Sequence, residues 1–313
     1  MPFMDSRFLL FHSKEPVTVI NMRIILAEPR GFCAGVTRAV QSLEQAVEQF
    51  GVPIYVYHEI VHNTRIVEDF RCKGVVFVDT LDEVPSGARL MFSAHGVSPV
   101  IREIARQRSI ETIDTTCPLV DKVHQSALEY AQNGYKIILI GHRGHDEVVG
   151  VVGEVPDAIW VVENDAEIDA LPFELFSSGE ENKIAYLTQT TLSLTETFQR
   201  IEYLKKRFPQ IVGPSQSNIC YATQSRQDAV REHCPNVDVV IVVGSRSSSN
   251  SRRLAEQAEA LGVRAFLVDS AEDIPLHEFT GDETVLVTAG ASAPEYLVQG
   301  CVHLFQKQFN AVL

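Results

Sequence analysis

The 313-residue chain is short of cations and of cysteines, and each shortage closes off a class of function. Lys and Arg number 27 against 41 Asp and Glu, a formal net charge of −14. The cations are scattered, so neither a nucleic acid nor an anionic membrane is expected as a partner, although a local basic pocket stays compatible. Six cysteines are too sparse for a disulfide scaffold, and none forms the C-x2-C pair typical of structural zinc. Residues 1–21 hold a short apolar patch, Phe8-Leu9-Leu10-Phe11, with no basic stretch before it and no small-residue cleavage site. They also lack the Arg-rich look of an organelle transit peptide. The cysteines are therefore expected to be reduced in a cytoplasmic protein, with residues 1–21 as an extension outside the fold.

What is present is ordinary in bulk, 45% hydrophobic and 22% charged, and repetitive in arrangement. Cys33 sits between glycines in Gly31-Phe32-Cys33-Ala34-Gly35, where a strand hands over to a helix. Val36, Val40, Leu43, Val47 and Phe50 then mark one apolar helix face that ends at Gly51. A strand at 54–57 runs into the loop holding His62, and a second at 75–78 precedes an acidic turn. A third at 89–92 enters Ser93-Ala94-His95-Gly96, and a helix leads to a strand ending at Cys117. The same order follows Cys117, with strand 136–140 entering the loop to Glu147, strand 184–187 entering Thr188-Gln189-Thr190-Thr191, and arrival at Cys220. After Cys220 it comes a third time. Strand 238–243 enters Gly244 to Asn250, a helix spans about 251–261, and strand 284–287 enters Thr288 to Ser292. The strand and cysteine due next are missing, and residues 23–33 supply their equivalent at the other end.

This order predicts an α/β protein of three similar α/β domains with mostly parallel sheets around a pseudo-threefold axis and a central iron-sulfur site. The expected domains are 35–117, 118–216 and 217–308, the last completed by the amino-terminal strand 22–34. Loops at the carboxyl ends of parallel strands are where α/β folds bind ligands. Nine such loops would face one cavity, carrying Cys33, Cys117 and Cys220; His62, His145 and Ser248-Ser249-Asn250; and His95, Thr190 and Ser292.

Cysteine most often only fills space in a core, and Cys72, Cys234 and Cys301, within or at the ends of expected helices, are assigned that role. Cys33, Cys117 and Cys220 hold equivalent places in three repeats. Three widely separated thiolates suit an iron-sulfur cluster with one iron lacking a protein ligand. The histidines, alongside Ser, Thr and Asn donors and helix amino termini, suggest an anion pocket that needs no Lys or Arg cluster. The Ser247–Ser251 run reads either as a loop or helix cap, or as a phosphate site. Glu147 reads either as a cap or as an acid that delivers protons.

These segments carry a resemblance. Pro29-Arg30-Gly31-Phe32-Cys33-Ala34-Gly35-Val36, Val61-His62-Asn63, Ser93-Ala94-His95-Gly96-Val97, Asp114-Thr115-Thr116-Cys117-Pro118, Gly141-His142 through Glu147, Thr188-Gln189-Thr190-Thr191, Cys220-Tyr221-Ala222-Thr223, Ser248-Ser249-Asn250 and Thr288-Ala289-Gly290-Ala291-Ser292 together resemble the LytB family of 4-hydroxy-3-methylbut-2-enyl diphosphate reductases. The match runs over about residues 22–308. Asp146 stands where the family commonly has proline and Thr37 where it often has an acid; both are expected to affect only local loop detail.

The resemblance implies the last step of the non-mevalonate isoprenoid pathway, reductive removal of an allylic hydroxyl to give isopentenyl and dimethylallyl diphosphates. It implies one 4Fe-4S cluster on Cys33, Cys117 and Cys220, with Thr223 nearby. His62, His95, His145, Ser248, Asn250 and Ser292 would bind the diphosphate with Ser249 in support, Thr190 would also contact the substrate, and Glu147, helped by Thr190, would manage proton delivery. Reduced ferredoxin or flavodoxin would be the electron donor, docking on a local basic patch. A cluster-dependent dehydratase and a non-catalytic iron-sulfur sensor are the rival readings.

Overall fold

The computed structural model describes residues 22–172 and 183–313; the expected extension over residues 1–21 lies outside the described residues. Within them, eleven strands form three fully parallel sheets. The first sheet has the order β3 (Val76–Val78), β2 (Tyr55–Tyr57), β4 (Arg89–Phe92), β5 (Glu111–Asp114). The second runs β7 (Ile159–Val162), β6 (Lys136–Ile140), β8 (Ile184–Thr188). The third runs β10 (Arg264–Val268), β9 (Val239–Val243), β11 (Thr284–Ala289), β1 (Arg23–Leu26). The three orders coincide position by position, and β1 pairs with β11 from Arg23 opposite Thr284 to Leu26 opposite Val287.

Continuous apolar runs, rather than alternating ones, specify these central strands because both sheet faces are covered. All five residues of β9 are fully buried. Val239, Ile241 and Val243 enter a core with Val298 and Phe305 of the last helix, Glu295–Phe309. Val240 and Val242 enter another with Leu254 and Ala258 of the helix Ser249–Ala260. In β6, Ile138 and Ile140 part from Ile137 and Leu139 in the same way. In β4, Met91 parts from Leu90 and Phe92. Cutting Leu90, Met91, Ile138, Ile140 or Ile241 back to alanine costs about 2–5 kcal/mol.

The second sheet is the incomplete one. The place that β5 and β1 occupy elsewhere holds only a parallel bridge between Ala185 and Val212. Tyr186 N–H donates to the Val212 carbonyl at 2.9 Å, and Val212 N–H to Ile184 at 3.0 Å. Gly213 lies against the Tyr186 ring and Pro214 has no N–H to donate, so the ladder stops there.

The helices are α1 (Ala34–Phe50), α2 (Thr64–Cys72), α3 (Pro99–Gln107), α4 (Pro118–Gln132), α5 (Asp146–Glu154), α6 (Asp165–Asp169), α7 (Leu194–Arg207), α8 (Tyr221–His233), α9 (Ser249–Ala260) and α10 (Glu295–Phe309). Helix α9 begins at Ser249, two residues earlier than its apolar spacing predicts, because the Ser248 hydroxyl accepts from Ser251 N–H and caps it. Ser249 and Asn250 are therefore its first turn, not a preceding loop. Among the described residues no helix is long and apolar enough to cross a membrane.

Candidate active site

A cavity of about 100 Å³ is lined by Cys33, Cys117, Cys220, Thr223, Glu147, Thr190, His62, His95, His145, Ser248, Ser249, Asn250 and Ser292. Every site residue named from the sequence is on this list. They arrive on nine segments, loops after strands and the first turns of the helices that follow them, contributed by all three sheets.

The three cysteines are the residues immediately before α1, α4 and α8, each in extended conformation. Backbone N–H groups of the first helical turns face the sulfurs, from Val36 to Cys33 at 3.5 Å, from Leu119 and Val120 to Cys117, and from Ala222 and Thr223 to Cys220. Burial nevertheless raises the Cys117 and Cys220 thiols above their ordinary range, against the pull of those N–H groups, so stable thiolates there call for a cation. Gly35 is glycine for a steric reason: a Cβ on it would stand 2.7 Å from Cys117 Sγ and 3.9 Å from Cys33 Sγ. Gly31, at φ +68°, takes the left-handed turn before Cys33. The three sulfurs line one cavity but are not within joint reach of a single ion. An all-thiolate donor set with that spread fits a multi-iron cluster and does not fit one zinc.

Glu147 lies on the first turn of α5 and is 2% exposed. Thr190 holds both of its oxygens, N–H to Oε1 at 2.7 Å and Oγ1–H to Oε2 at 2.8 Å. Burial outweighs these bonds and pushes the carboxyl up to about 7, where it exchanges protons near neutral pH. Cys117 and His62 are both within its electrostatic reach, so it sits between thiols and histidines.

His62 and His95 stack with ring centroids 3.9 Å apart, and His145 meets them edge-on at 5.2 and 5.9 Å. Burial, then repulsion from His62 and His145, holds His95 well below the ordinary imidazole range. Burial and His62 push His145 down to about 3. His145 caps α5, its Nδ1 accepting from Glu147 N–H at 3.2 Å, which leaves Nε2 as the donor even in the neutral ring. His62 Nδ1 is taken by Glu59 at 3.0 Å.

The serine and asparagine side chains divide into two kinds. Ser292 Oγ donates to the His62 carbonyl at 2.8 Å and Ser249 Oγ to the Thr191 carbonyl at 3.3 Å, which fastens third-sheet loops to the other two. Asn250 is 3% exposed, yet neither its Oδ1 nor its Nδ2 has a hydrogen-bond partner. A buried amide with both ends unmet is costly unless a ligand meets it.

Two expectations need correction. Cys72 fills no core; it ends α2 on the solvent face and is exposed, whereas Cys234 and Cys301 are buried as expected. Asp146 is more than loop detail. Its Oδ1 pairs with His58 Nδ1 at 2.7 Å, and its Oδ2 lies 4.0 Å from His62 Nε2 and 3.9 Å from His95 Nδ1. Placing it at the first residue of α5 turns that side chain into the histidine cluster. Sequence reasoning also missed Arg226, a buried guanidinium that donates to the Ala222 carbonyl at 2.8 Å and to the Gly31 carbonyl, with Cys33 and Cys220 in electrostatic reach. Its position within α8 gave no signal, since a lone arginine on a helix normally reaches solvent.

Known proteins resemble this chain over most of its length. The family described as LytB protein matches residues 24–306. The 4-hydroxy-3-methylbut-2-enyl diphosphate reductase of Rhodopirellula baltica is 54% identical over 290 residues, 93% of this chain and 89% of that one. A solved reductase from Plasmodium falciparum, titled for E-1-hydroxy-2-methyl-but-2-enyl-4-diphosphate, superposes with a TM-score of 0.89 at 40% identity over 93% of this chain and 90% of its own. Another, titled as (E)-4-hydroxy-3-methyl-but-2-enyl diphosphate reductase and the terminal enzyme of the non-mevalonate pathway, gives 0.65 at 30% identity over 91% and 99%.

Proposed function

This chain belongs to the LytB protein family, and from that premise we propose that it reductively removes the allylic hydroxyl of 4-hydroxy-3-methylbut-2-enyl diphosphate. The products are isopentenyl and dimethylallyl diphosphates, at the last step of the non-mevalonate pathway. The carbon–oxygen bond breaks, the carbon skeleton gains two electrons and a proton, and the hydroxyl takes a second proton and leaves as water.

Cys33, Cys117 and Cys220 would hold a 4Fe-4S cluster, with Thr223 beside it. When bound, that cluster supplies the electrons and the Lewis acidity for removing the hydroxyl, drawing electrons singly from reduced ferredoxin or flavodoxin. The chain's own side chains do the rest. Glu147, steadied by Thr190, holds the proton for the departing hydroxyl. His62, His95, His145, Ser248 and Asn250 bind the diphosphate, and Ser249 and Ser292 hold the loops that present them. We read the three sheets as the domains 35–117, 118–216 and 217–308, the last completed by 22–34.

The observation that carries the proposal is the place of Glu147: buried, with its carboxyl at about 7, and in reach of a thiol on one side and the histidines on the other. A dehydratase would need no reductant and a sensor no proton donor. The test is anaerobic purification, iron and sulfide analysis, and an assay with the allylic diphosphate plus a strong one-electron reductant. Iron-dependent, reductant-dependent turnover is expected; an iron-free active protein would overturn the proposal.

A further inference from the structure

We infer that Asp146, held by His58, is the counter-charge of the histidine cluster: it lets the cluster take up protons as the substrate diphosphate enters, and so sets the pH range in which that anion binds. The inference rests on the diphosphate reading of the cavity.

No Lys or Arg is among the residues lining the cavity. A diphosphate ester brings several negative charges, and backbone dipoles with neutral hydroxyls offset them only in part. Arg252 and Arg253 stand behind His145 in the adjoining pocket and Arg226 lies on the thiol side, so the groups that can place positive charge inside the cavity itself are the three histidines. In the free protein they are crowded and desolvated, which disfavours charge on His95 and His145. Protons must therefore arrive with the ligand, and they need a partner that survives after the ligand's charge has been shared out.

Asp146 has that position. One carboxylate oxygen is within 4.0 Å of both His62 and His95, and the backbone neighbour of Asp146 is His145. The other oxygen is bonded to His58, which Asp146 in turn favours in its charged form. Burial would push the Asp146 carboxyl up, but the His58 bond and the nearby imidazoles hold it below its ordinary value, so it stays ionised. His58 offsets its charge on the side away from the rings and limits repulsion of the incoming anion. His58 is kept in place by its N–H bond to Val78 at 2.8 Å.

Other charged groups surround the pair, but each has a narrower reach. Glu59 engages His62 alone, and Glu147 is committed to Thr190. Arg252 and His142 act on His145 and would oppose its protonation. Asp79 and Tyr57 flank the His58 side. Among the described residues, Asp146 is the carboxylate at ion-pair distance from two rings of the cluster.

The test uses anaerobically purified, cluster-loaded protein and inorganic diphosphate as the probe, titrated calorimetrically in two buffers of different ionisation heat. Wild type is expected to take up about one proton per diphosphate bound near pH 8. Asp146→Asn should take up less than half as much and bind about tenfold more weakly near pH 8, the two proteins converging to within about threefold near pH 6. Asp146→Pro serves as the second variant, because proline is tolerated at the first residue of a helix and Asp146 N–H closes no helical bond there. In turnover, both variants should raise KM with rising pH while kcat at saturation stays within about twofold. Equal proton uptake in wild type and variants, or tighter binding by the variants, would overturn the role of Asp146 while leaving the diphosphate site intact. Absence of diphosphate binding by wild type would overturn both readings together.

Discussion

The two ends of the cavity come from equivalent topological positions and are built by opposite rules. At one end the three sheets contribute the same group, a cysteine before each of α1, α4 and α8, in the same extended conformation. At the other end they contribute different groups, His62 and His95 from the first, His145 from the second, Ser248, Asn250 and Ser292 from the third. A cluster of near-symmetric ligation accepts three copies of one residue. An asymmetric ester does not, and the proton donor proposed for it, Glu147, stands on α5, which follows the second sheet's β6.

That contrast predicts a graded set of losses. The largest belongs to the symmetric end. Cys117→Ser should abolish cluster binding and turnover together, read as iron per chain and as activity. Gly35→Ala should act in the same direction, because its Cβ would press on Cys117 Sγ; iron content should fall while the unfolding midpoint barely moves. A Gly35→Ala protein with full iron would show that the thiol end has slack that the geometry denies.

Next comes the boundary between the ends. Glu147→Gln should retain iron and KM but lose about 10²–10⁴ in kcat. In wild type, kcat should fall as pH rises through about 7, when the buried acid loses its proton. Stability should follow the same group. Its folded-state pKa lies above the unfolded value, so the contribution of this one group is fully present below about 4.5 and is lost as pH climbs through about 7. Glu147→Gln should therefore be the more stable protein near pH 8, by on the order of 1–3 kcal/mol in denaturant unfolding.

The asymmetric end should show smaller, binding-limited effects. Asn250→Ala removes two unmet polar atoms, so the free protein should not lose stability. Its KM should rise about ten- to hundredfold with kcat little changed, the value of hydrogen bonds to a charged ligand. An Asn250→Ala enzyme with wild-type KM would detach that amide from the diphosphate.

Legibility in the sequence divided along the same line. The thiol end was readable because repetition singles out three cysteines from six, and period-specific apolar runs place them at helix starts. The histidine end was readable as a set of loops but not as a geometry. Nothing in the sequence says that His62 and His95 stack, or that Ser292 spends its proton on the His62 carbonyl. Asp146 and His58 are 88 residues apart and meet only because two sheets do. Arg226 was hidden because burial of a guanidinium depends on two carbonyls, Gly31 and Ala222, one of them from the far end of the chain.

The smallest effect is the most specific to the boundary. Thr190 gives Glu147 two bonds, and only the hydroxyl bond depends on its side chain. Thr190→Val keeps the volume and the backbone N–H bond and deletes the Oγ1 donor. That donor favours the ionised carboxylate, so its loss should raise the Glu147 pKa further. The falling limb of kcat should then move to higher pH, by less than about one unit. Below the limb the acid is already protonated in both proteins, so their rates should differ little there. A limb that moved to lower pH, or one that stayed in place while kcat fell at every pH, would mean that Thr190 contacts the substrate rather than setting the acid, and the proton path would have to be drawn without it.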